Sequence, residues 1–472
     1  MTDANDATPR TIRMPHTLVI VGSLVLLVLV LSWLVPSGAY RTVDTGGRTV
    51  TVPGTYQPVP KVLLGPQWLM IAPIKGFLDG ALIIAFLLLI GGAFAVIQAT
   101  GTIEFAIRKI TAALAARPAL EKLLIPVLMV IFSLAGSVFG MSEEVIPFIL
   151  ILVPLMLSLG YDSIVGVAVP FLGAAAGFAA AFFNPFTVGI AQGLVGLPLY
   201  SGLGYRVATW FVGTAVVVAW VMAYAARVKR HPESSPVYDL DRSRDLSSVV
   251  SGAPEEPWTA RRVAVLGLFL ASMVALVFGI LKAQWFIEEI GALFLAMGLV
   301  MGAVAGLKPS QIATSFVAGA RDMVNVTLII ACGRALLIIA REAKVLDTIL
   351  YYSSDLISGL PRVVAAQVMF VVQSVINFFI HSGTAQAALT MPILAPLSDL
   401  VGVTRQTCVY AFQLCEFINP ILPTSAVTMG VLGMAKIPWE RWARWFLPLM
   451  LVLVALSFLL LIPPVLMRWG PF

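Results

Sequence analysis

Four short polar stretches interrupt otherwise apolar sequence, and they hold most of the residues that could bind a small solute. The first reads Gly140-Met141-Ser142-Glu143-Glu144 and the second His381-Ser382-Gly383-Thr384-Ala385-Gln386, each followed by an apolar helical run. Free N–H groups at a helix start carry partial positive charge and suit a carboxylate or another anion. The hydroxyls of Ser142, Ser382 and Thr384 could equally act as plain N-caps, and capping and ligand binding call on the same donors. The third stretch, Asn184-Pro185-Phe186-Thr187, and the fourth, Asn419-Pro420 followed by Pro423-Thr424-Ser425, put proline inside apolar spans. Proline removes a backbone hydrogen bond and frees a carbonyl. Such a carbonyl, with neighbouring hydroxyls, can coordinate a cation or an ammonium group. A simple kink is the other reading.

Charge within the apolar regions is scarce, and an ionisable group inside a membrane is a functional candidate by default. Glu143, Glu144, Arg334, His381 and Glu416 stand where burial is expected. Arg334 could instead be a structural partner for one acid, and His381 a hydrogen-bond donor rather than a proton site. Asp79, Asp322 and Lys75 lie near span ends, where a structural role is the simpler reading. Cys332, Cys408 and Cys415 sit in apolar surroundings, and His16, His231 and His381 are scattered. No metal-ligand spacing emerges, so no metal or cofactor is expected. No nucleophile–base pair is recognisable either, which argues against an enzyme.

The composition says where these stretches must live. Of 472 residues, 59% are apolar and only 11% charged, against roughly 25% charged in an ordinary soluble protein. So few charges could not cover a soluble surface, which excludes a soluble enzyme, a nucleic-acid-binding protein and a disordered chain. A polytopic helical membrane protein remains. The net charge of +6 is of the kind that cytoplasmic loops produce.

Apolar stretches long enough to span occur near 17–36, 77–98, 164–198, 205–226, 262–281, 288–306, 323–340, 404–435 and 444–466. The first has no convincing cleavage site after it and reads as a transmembrane helix rather than a removable signal. Regions 119–160 and 361–400 each comprise two apolar arms, one of them short, broken near the middle. This pattern predicts re-entrant hairpins. The polar segment 227–262 carries seven basic and six acidic residues with several Pro and Ser, and reads as a flexible linker. Thr-Val alternation around Gly46-Gly47 predicts a small β-hairpin within 37–61. Basic clusters at Arg10 and Arg13, at 108–122, at the linker ends and at 436–444 can all be cytoplasmic if both hairpins return to their own side. The N-terminus would then be inside, and segment 37–61 and the C-terminus outside.

The two halves match at a nearly constant offset. Asp79 and Asp322 are 243 apart, Gly92 and Gly333 241, and Pro154 and Pro396 242, as are Gly160 and Gly402. The second half has one extra crossing, 288–306, which would invert it. Inverted repeats with breaks at matching places point to a secondary transporter with its site between the breaks. A channel would need a continuous polar pore, which two hairpins closing from opposite sides would block.

The phrases GMSEEVIPFILILVPLMLSLGYDSIVGVAV, NPFTVGIAQG, SGTAQAALTMPILAPLSDLVGVTRQT, PTSAVTMGVLGMAKIPWERW and LVPSGAY resemble the C4-dicarboxylate anaerobic carrier (DcuC) family, over residues 14–466. They look most like its YfcC branch, which includes proteins described as basic amino acid antiporters of the arginine–ornithine type. The family is similar to the ion transporter superfamily. That likeness implies scaffold and transport domains, elevator movement and a homodimer. In related sodium–dicarboxylate carriers each hairpin tip carries Ser-Asn-Thr. Here Ser382-Gly383-Thr384 keeps the hydroxyls with Gly for Asn, and Ser142-Glu143-Glu144 keeps only the Ser. Sodium coupling is therefore in question.

The resulting expectation is an all-α polytopic membrane protein with inverted repeats, two re-entrant hairpins and two broken helices. Scaffold would comprise 1–118, 199–226, 263–360 and 436–472, the transport domain 119–198 and 361–435, and the linker 227–262. The expected function is a secondary transporter in a bacterial inner membrane, exchanging basic amino acids, with a C4-dicarboxylate carrier as the alternative. Acids at the tips would suit a cationic side chain and repel a dianion unless protonated. The expected solute contacts are Ser142, Glu143, Glu144, Asn184, Thr187, Ser382, Gly383, Thr384, Glu416, Asn419, Thr424 and Ser425. Expected partners are the small-molecule solute, the lipid bilayer and a coupling ion, proton or sodium, with no nucleic acid.

Overall fold

A computed structural model describes residues 17–44, 49–115, 117–244, 259–283, 285 and 287–470. Arg10, Arg13, the Gly46-Gly47 turn and linker residues 245–258 lie outside the described residues.

Helices dominate, as uninterrupted apolar sequence requires where backbone groups must be paired without water. Among the described residues nine helical stretches are long and apolar enough to cross a membrane, including Thr17–Leu34, Ala81–Ala99 and Val324–Glu342. The alternating segment after the first helix forms the expected β-pairing, with Thr42 opposite Thr51 and Val43 opposite Val50. A second short pair, Gly38–Ala39 with Gln57–Pro58, closes its base. Ser37 Oγ donates to the Ala343 carbonyl at 2.8 Å and the Gly38 N–H to that of Lys344 at 3.0 Å. These bonds fasten the segment to the far half of the chain.

The order of elements recurs. Helices Trp68–Asp79, Ala81–Ala99 and Thr102–Ala115 precede the first hairpin, and Pro309–Asp322, Val324–Glu342 and Leu346–Ser358 precede the second. Glycine marks the equivalent close approaches. A Cβ at Gly76 would fall on the Ala331 carbonyl oxygen, and one at Gly319 on that of Gly91. Each short helix thus packs backbone to backbone against the long helix of the other half.

Hairpin one is Pro118–Phe139 and Ile146–Ser158; hairpin two is Arg362–Phe379 and Gly383–Leu400. The short second arm holds for the first hairpin only, at 13 residues. In the second, both arms have 18, because Pro392 and Pro396 lie inside the helix without ending it. The broken helices follow each hairpin. Ser163–Ala179 gives way to a π-turn at Pro185–Gly189 and a short helix Ile190–Leu194. Arg405–Leu414 gives way to a 3-10 stretch Cys415–Ile421 and then Ala426–Met434. Asp162 and Thr404, 242 residues apart, cap the two starts, accepting from the N–H of Val165 at 2.9 Å and of Thr407 at 3.3 Å. All but two of the 17 residues of Ser163–Ala179 are buried, so the broken helices form the centre of the molecule.

The linker is not a free coil where it is described. Ser235 Oγ donates to Asp162 at 2.6 Å, Asp241 accepts the Ser163 N–H at 2.8 Å, and Arg244 reaches the Ala435 carbonyl at 2.6 Å. Acceptors at Asp162 and Ala435 and a donor at the Ser163 N–H give its polar side chains something to hold, which composition alone did not indicate.

Candidate solute-binding site

The four interruptions meet. One cavity of about 180 Å³ is lined by Ser142 and Glu143 from the first tip and by Ser382, Gly383 and Thr384 at the second. Glu416, Asn419, Ser425 and Thr428 from the second break and the helix after it add to its polar lining, with Arg334 and His381. Its volume lies below the roughly 300–1,000 Å³ of drug-sized sites, which limits the occupant to a small solute.

The first tip is built on Gly140, whose φ of +77° ends the helix in the left-handed region that glycine adopts without strain. The chain then turns so that Glu144 Oε2 accepts the Ser142 N–H at 2.8 Å. Glu144 thereby holds the tip together and is buried away from the cavity, while Glu143 lines it. Ser142 makes no side-chain cap. The second tip is shorter than the sequence suggested. Its helix starts at Gly383, with Ser382 as the N-cap accepting from the Ala385 N–H at 3.4 Å. Thr384 Oγ1 crosses to the Phe186 carbonyl in the first break at 3.2 Å. Gly383 sits there because any Cβ would strike the Thr187 methyl.

Asn184, Thr187 and Thr424 stand behind this lining rather than in it. Asn184 Oδ1 accepts from the N–H groups of Phe186 and Thr187 at 2.8 and 3.3 Å, an Asx cap for the resumed helix. Thr424 Oγ1 donates to the Phe378 carbonyl at 3.0 Å and lies 2.8 Å from His381 Nε2. A hydroxyl has one proton, so with that proton on the Phe378 carbonyl His381 donates to Thr424 from Nε2. Glu416 takes the Asn419 amide on Oε2 and keeps Oε1 without a partner among the described residues. The buried Thr187 hydroxyl and Asn419 Oδ1 are likewise unpaired there. Buried polar atoms are normally hydrogen-bonded, so each of these calls for a partner such as water, an ion or a solute.

Of the twelve expected contacts, eight line the cavity, and Glu144, Asn184, Thr187 and Thr424 support it. Arg334 and His381, expected to be buried but not expected as contacts, line the cavity and are only part-buried. Ile83, Phe171 and Phe178 also line the cavity; nothing in their sequence surroundings separates them from ordinary core. Arg334 is the long-range case. It lies on Val324–Glu342, outside both hairpins, and is held by Asp79 at 3.3 Å. The cavity thus carries one cation and two acids on opposed elements.

The family pattern described as C4-dicarboxylate anaerobic carrier matches residues 14–465. A relative in Escherichia coli (strain K12), provisionally named basic amino acid antiporter YfcC, is 38% identical, covering 91% of this chain and 92% of its own. A protein of Haemophilus influenzae is 28% identical over 96% of this chain and 97% of its own. Among solved structures, the YdaH transporter of Alcanivorax borkumensis aligns with 97% of this chain and 100% of its own at a TM-score of 0.42 and 17% identity. MtrF of Neisseria gonorrhoeae aligns with 95% of each at 0.39 and 17%. The chain belongs to the C4-dicarboxylate anaerobic carrier (DcuC) family of membrane transporters.

Proposed function

We propose that this chain exchanges cationic amino acids of the arginine or ornithine type across a bacterial inner membrane. The observation that carries the reading is the mixed charge of one small cavity: Glu143 and Glu416 on one side of the account, Arg334 and the helix start at Ser382–Thr384 on the other. In this reading an acid faces the side-chain cation of the solute, and the donors around Ser382, Gly383 and Thr384 hold its α-carboxylate. The relative named as a basic amino acid antiporter supports it. Arg334 in the lining favours a second reading, a C4-dicarboxylate carrier, in which the guanidinium and both helix starts hold carboxylates and the acids are protonated. Proteoliposomes preloaded with arginine, ornithine or succinate, or left empty, separate the two. Arginine–ornithine exchange without succinate flux supports the first reading, and the reverse result replaces it with the second.

The mechanism we propose is an elevator. The two halves are taken as inverted repeats, supported by the paired approaches at Gly76 and Gly319, with the N-terminus and linker inside and the C-terminus outside. The moving body would contain 119–198 and 361–435. It would also take in helices Leu203–Arg230 and Trp439–Leu460, which the sequence reading grouped with scaffold. Most of their polar ties to other elements run to the hairpins and breaks, although Glu440 also accepts from the Thr17 hydroxyl at 3.3 Å. Thr214 lies 2.7 Å from Ser133, Arg206 Nη2 bonds Gln406 at 3.5 Å, and Trp442 Nε1 donates to the Pro420 carbonyl at 2.7 Å. A homodimer through the remaining helices and a coupling proton or sodium ion belong to the same proposal. Cross-linking Ser382 to Val324–Glu342 should abolish exchange, whereas a cross-link between Thr214 and Ser133 should spare it. The opposite pattern would reject this division.

A further inference from the structure

The second half of helix Val324–Glu342 touches two cavities. Arg334 lines the one already described. Two turns further along the same face, Arg341 lines a second, of about 660 Å³, together with Lys344 and Asp347 and with Gly38, Thr42 and Thr51 of the β-paired segment. Ser382 and Thr384 line both, so the tip of the second hairpin is the partition between them.

One carboxylate serves both arginines. Asp79 Oδ2 lies 3.3 Å from Arg334 Nη1, and Asp79 Oδ1 lies 4.0 Å from Arg341 Nη1. Asp79 ends helix Trp68–Asp79, and the backbone approach at Gly76 fixes it against Val324–Glu342. Its hold on Arg341 is at the limit of an ion pair, and that guanidinium is 49% exposed. Lys344 has no ion pair among the described residues. The one acid among the described lining residues, Asp347, accepts the Tyr40 N–H at 2.9 Å. The second cavity is therefore a chamber with two incompletely neutralised cations.

We propose that this chamber binds the carboxylate of the solute on Arg341 and Lys344, and that Asp79 is a counter-ion shared between it and the inner cavity. With a carboxylate on Arg341, Asp79 pairs wholly with Arg334. When the carboxylate passes the tip to Arg334, Asp79 turns to Arg341. Both guanidinium groups stay paired throughout, so neither is left bare at either stage, and only the exposed Lys344 changes partner. This rests on the reading that the inner cavity takes a carboxylate-bearing solute.

Arg341 can be watched directly. The full-length chain in nanodiscs is treated with phenylglyoxal, which modifies accessible guanidinium groups, and the Arg341 peptide is quantified by mass spectrometry. At matched ionic strength, acetate and succinate should slow labelling about two- to fivefold, the range for a half-exposed ion pair. Chloride and acetamide should not. Asp79→Asn should strengthen protection by acetate because the internal competitor is gone, and Lys344→Gln should weaken it. Labelling that is equal with acetate and chloride, or protection unchanged in Asp79→Asn, would overturn the chamber. Exchange of arginine, ornithine and succinate is read separately in proteoliposomes. Its absence, with Arg341 still protected, would sink the proposed function and leave the chamber standing.

Discussion

The two hairpin tips do the same architectural work with different chemistry. The first is charged and closes on itself: Gly140 turns the chain and Glu144 takes the Ser142 N–H. The second is uncharged and leans on its neighbours, with Ser382 capping and Thr384 reaching the first break. The breaks reverse the assignment. The first has only neutral Asn184 and Thr187, the second carries Glu416. Each half thus supplies one cavity-facing acid, from its hairpin in one case and its broken helix in the other. A repeated order of elements tolerates this exchange because a tip and a break each restart a helix and both border the same cavity.

The arms differ in the same sense. Hairpin two is stitched by amides: Gln386 Nε2 donates to the Gln373 carbonyl at 2.9 Å and to its side chain at 2.7 Å, and Asn377 reaches Gln386 at 3.1 Å. In hairpin one the small polar residues turn outward to other elements. Ser137 accepts from the Phe182 N–H at 3.2 Å, and Ser133 bonds Thr214 and Trp210.

The acids offer the sharpest way to test that exchange of roles. Removing one charge from a desolvated pair commonly costs about 3–5 kcal/mol, so Glu143→Gln or Glu416→Gln should weaken arginine binding by about a hundredfold or more. Citrulline binding should be spared. Calorimetric titration of the folded variants measures both, and unchanged arginine affinity in both variants would remove the acids from the site.

The amide stitching should make hairpin two the more sensitive to a polar deletion. Gln386→Leu leaves several buried groups unpaired and should cost about 1–3 kcal/mol. Ser137→Ala should cost about 1 kcal/mol or less. Thermal unfolding in detergent compares them, and equal losses would erase the contrast between the arms.

The halves should respond alike where glycine sets the approach. Gly76→Ala and Gly319→Ala each force a Cβ onto a facing carbonyl, and each should lower stability by about 1–3 kcal/mol. A large loss in one with none in the other would break the equivalence of the two contacts.

The smallest effect concerns the linker. The Arg441 guanidinium, hydrogen-bonded to Asp239, holds that carboxyl below its usual range. A lowered folded value means the tie is fully present above the ordinary Asp value and is lost as pH falls through the folded one. The pair is exposed, so salt screens it. Proteolysis of the linker should rise modestly on acidification, and Asp239→Asn should show the same rise at neutral pH. Indifference to both would mean the strap is held by the ties of Ser235, Asp241 and Arg244 without this pair.

Much of the site was legible because membrane sequence makes polar residues conspicuous. Serine and glutamate among leucines at 142–144, or proline and asparagine at 184–185, mark a break without any structure. Arg334 was visible for the same reason, but its position beside Glu143 and Glu416 was not. It is 191 residues from Glu143 in sequence, and no local period links them. Phe171 and Phe178 were invisible because an apolar side chain facing a cavity and one facing a core obey the same helical spacing. The supporting role of Glu144 was hidden for a related reason. Adjacent carboxylates are equivalent on paper, and only the turn at Gly140 sends one to the backbone and the other to the cavity.

The sequence by itself determined that this is a helical membrane protein, where its helices break and which residues stand at the breaks, because apolar length and proline act locally. Tertiary structure alone decided that the four breaks share one cavity. It also decided that Asp79 stands between two arginines and that the linker straps onto the helix ends. Those facts depend on which helices approach closely enough to touch, through glycines such as Gly76 and Gly319, and close approach is a property of pairs that no single stretch of chain contains.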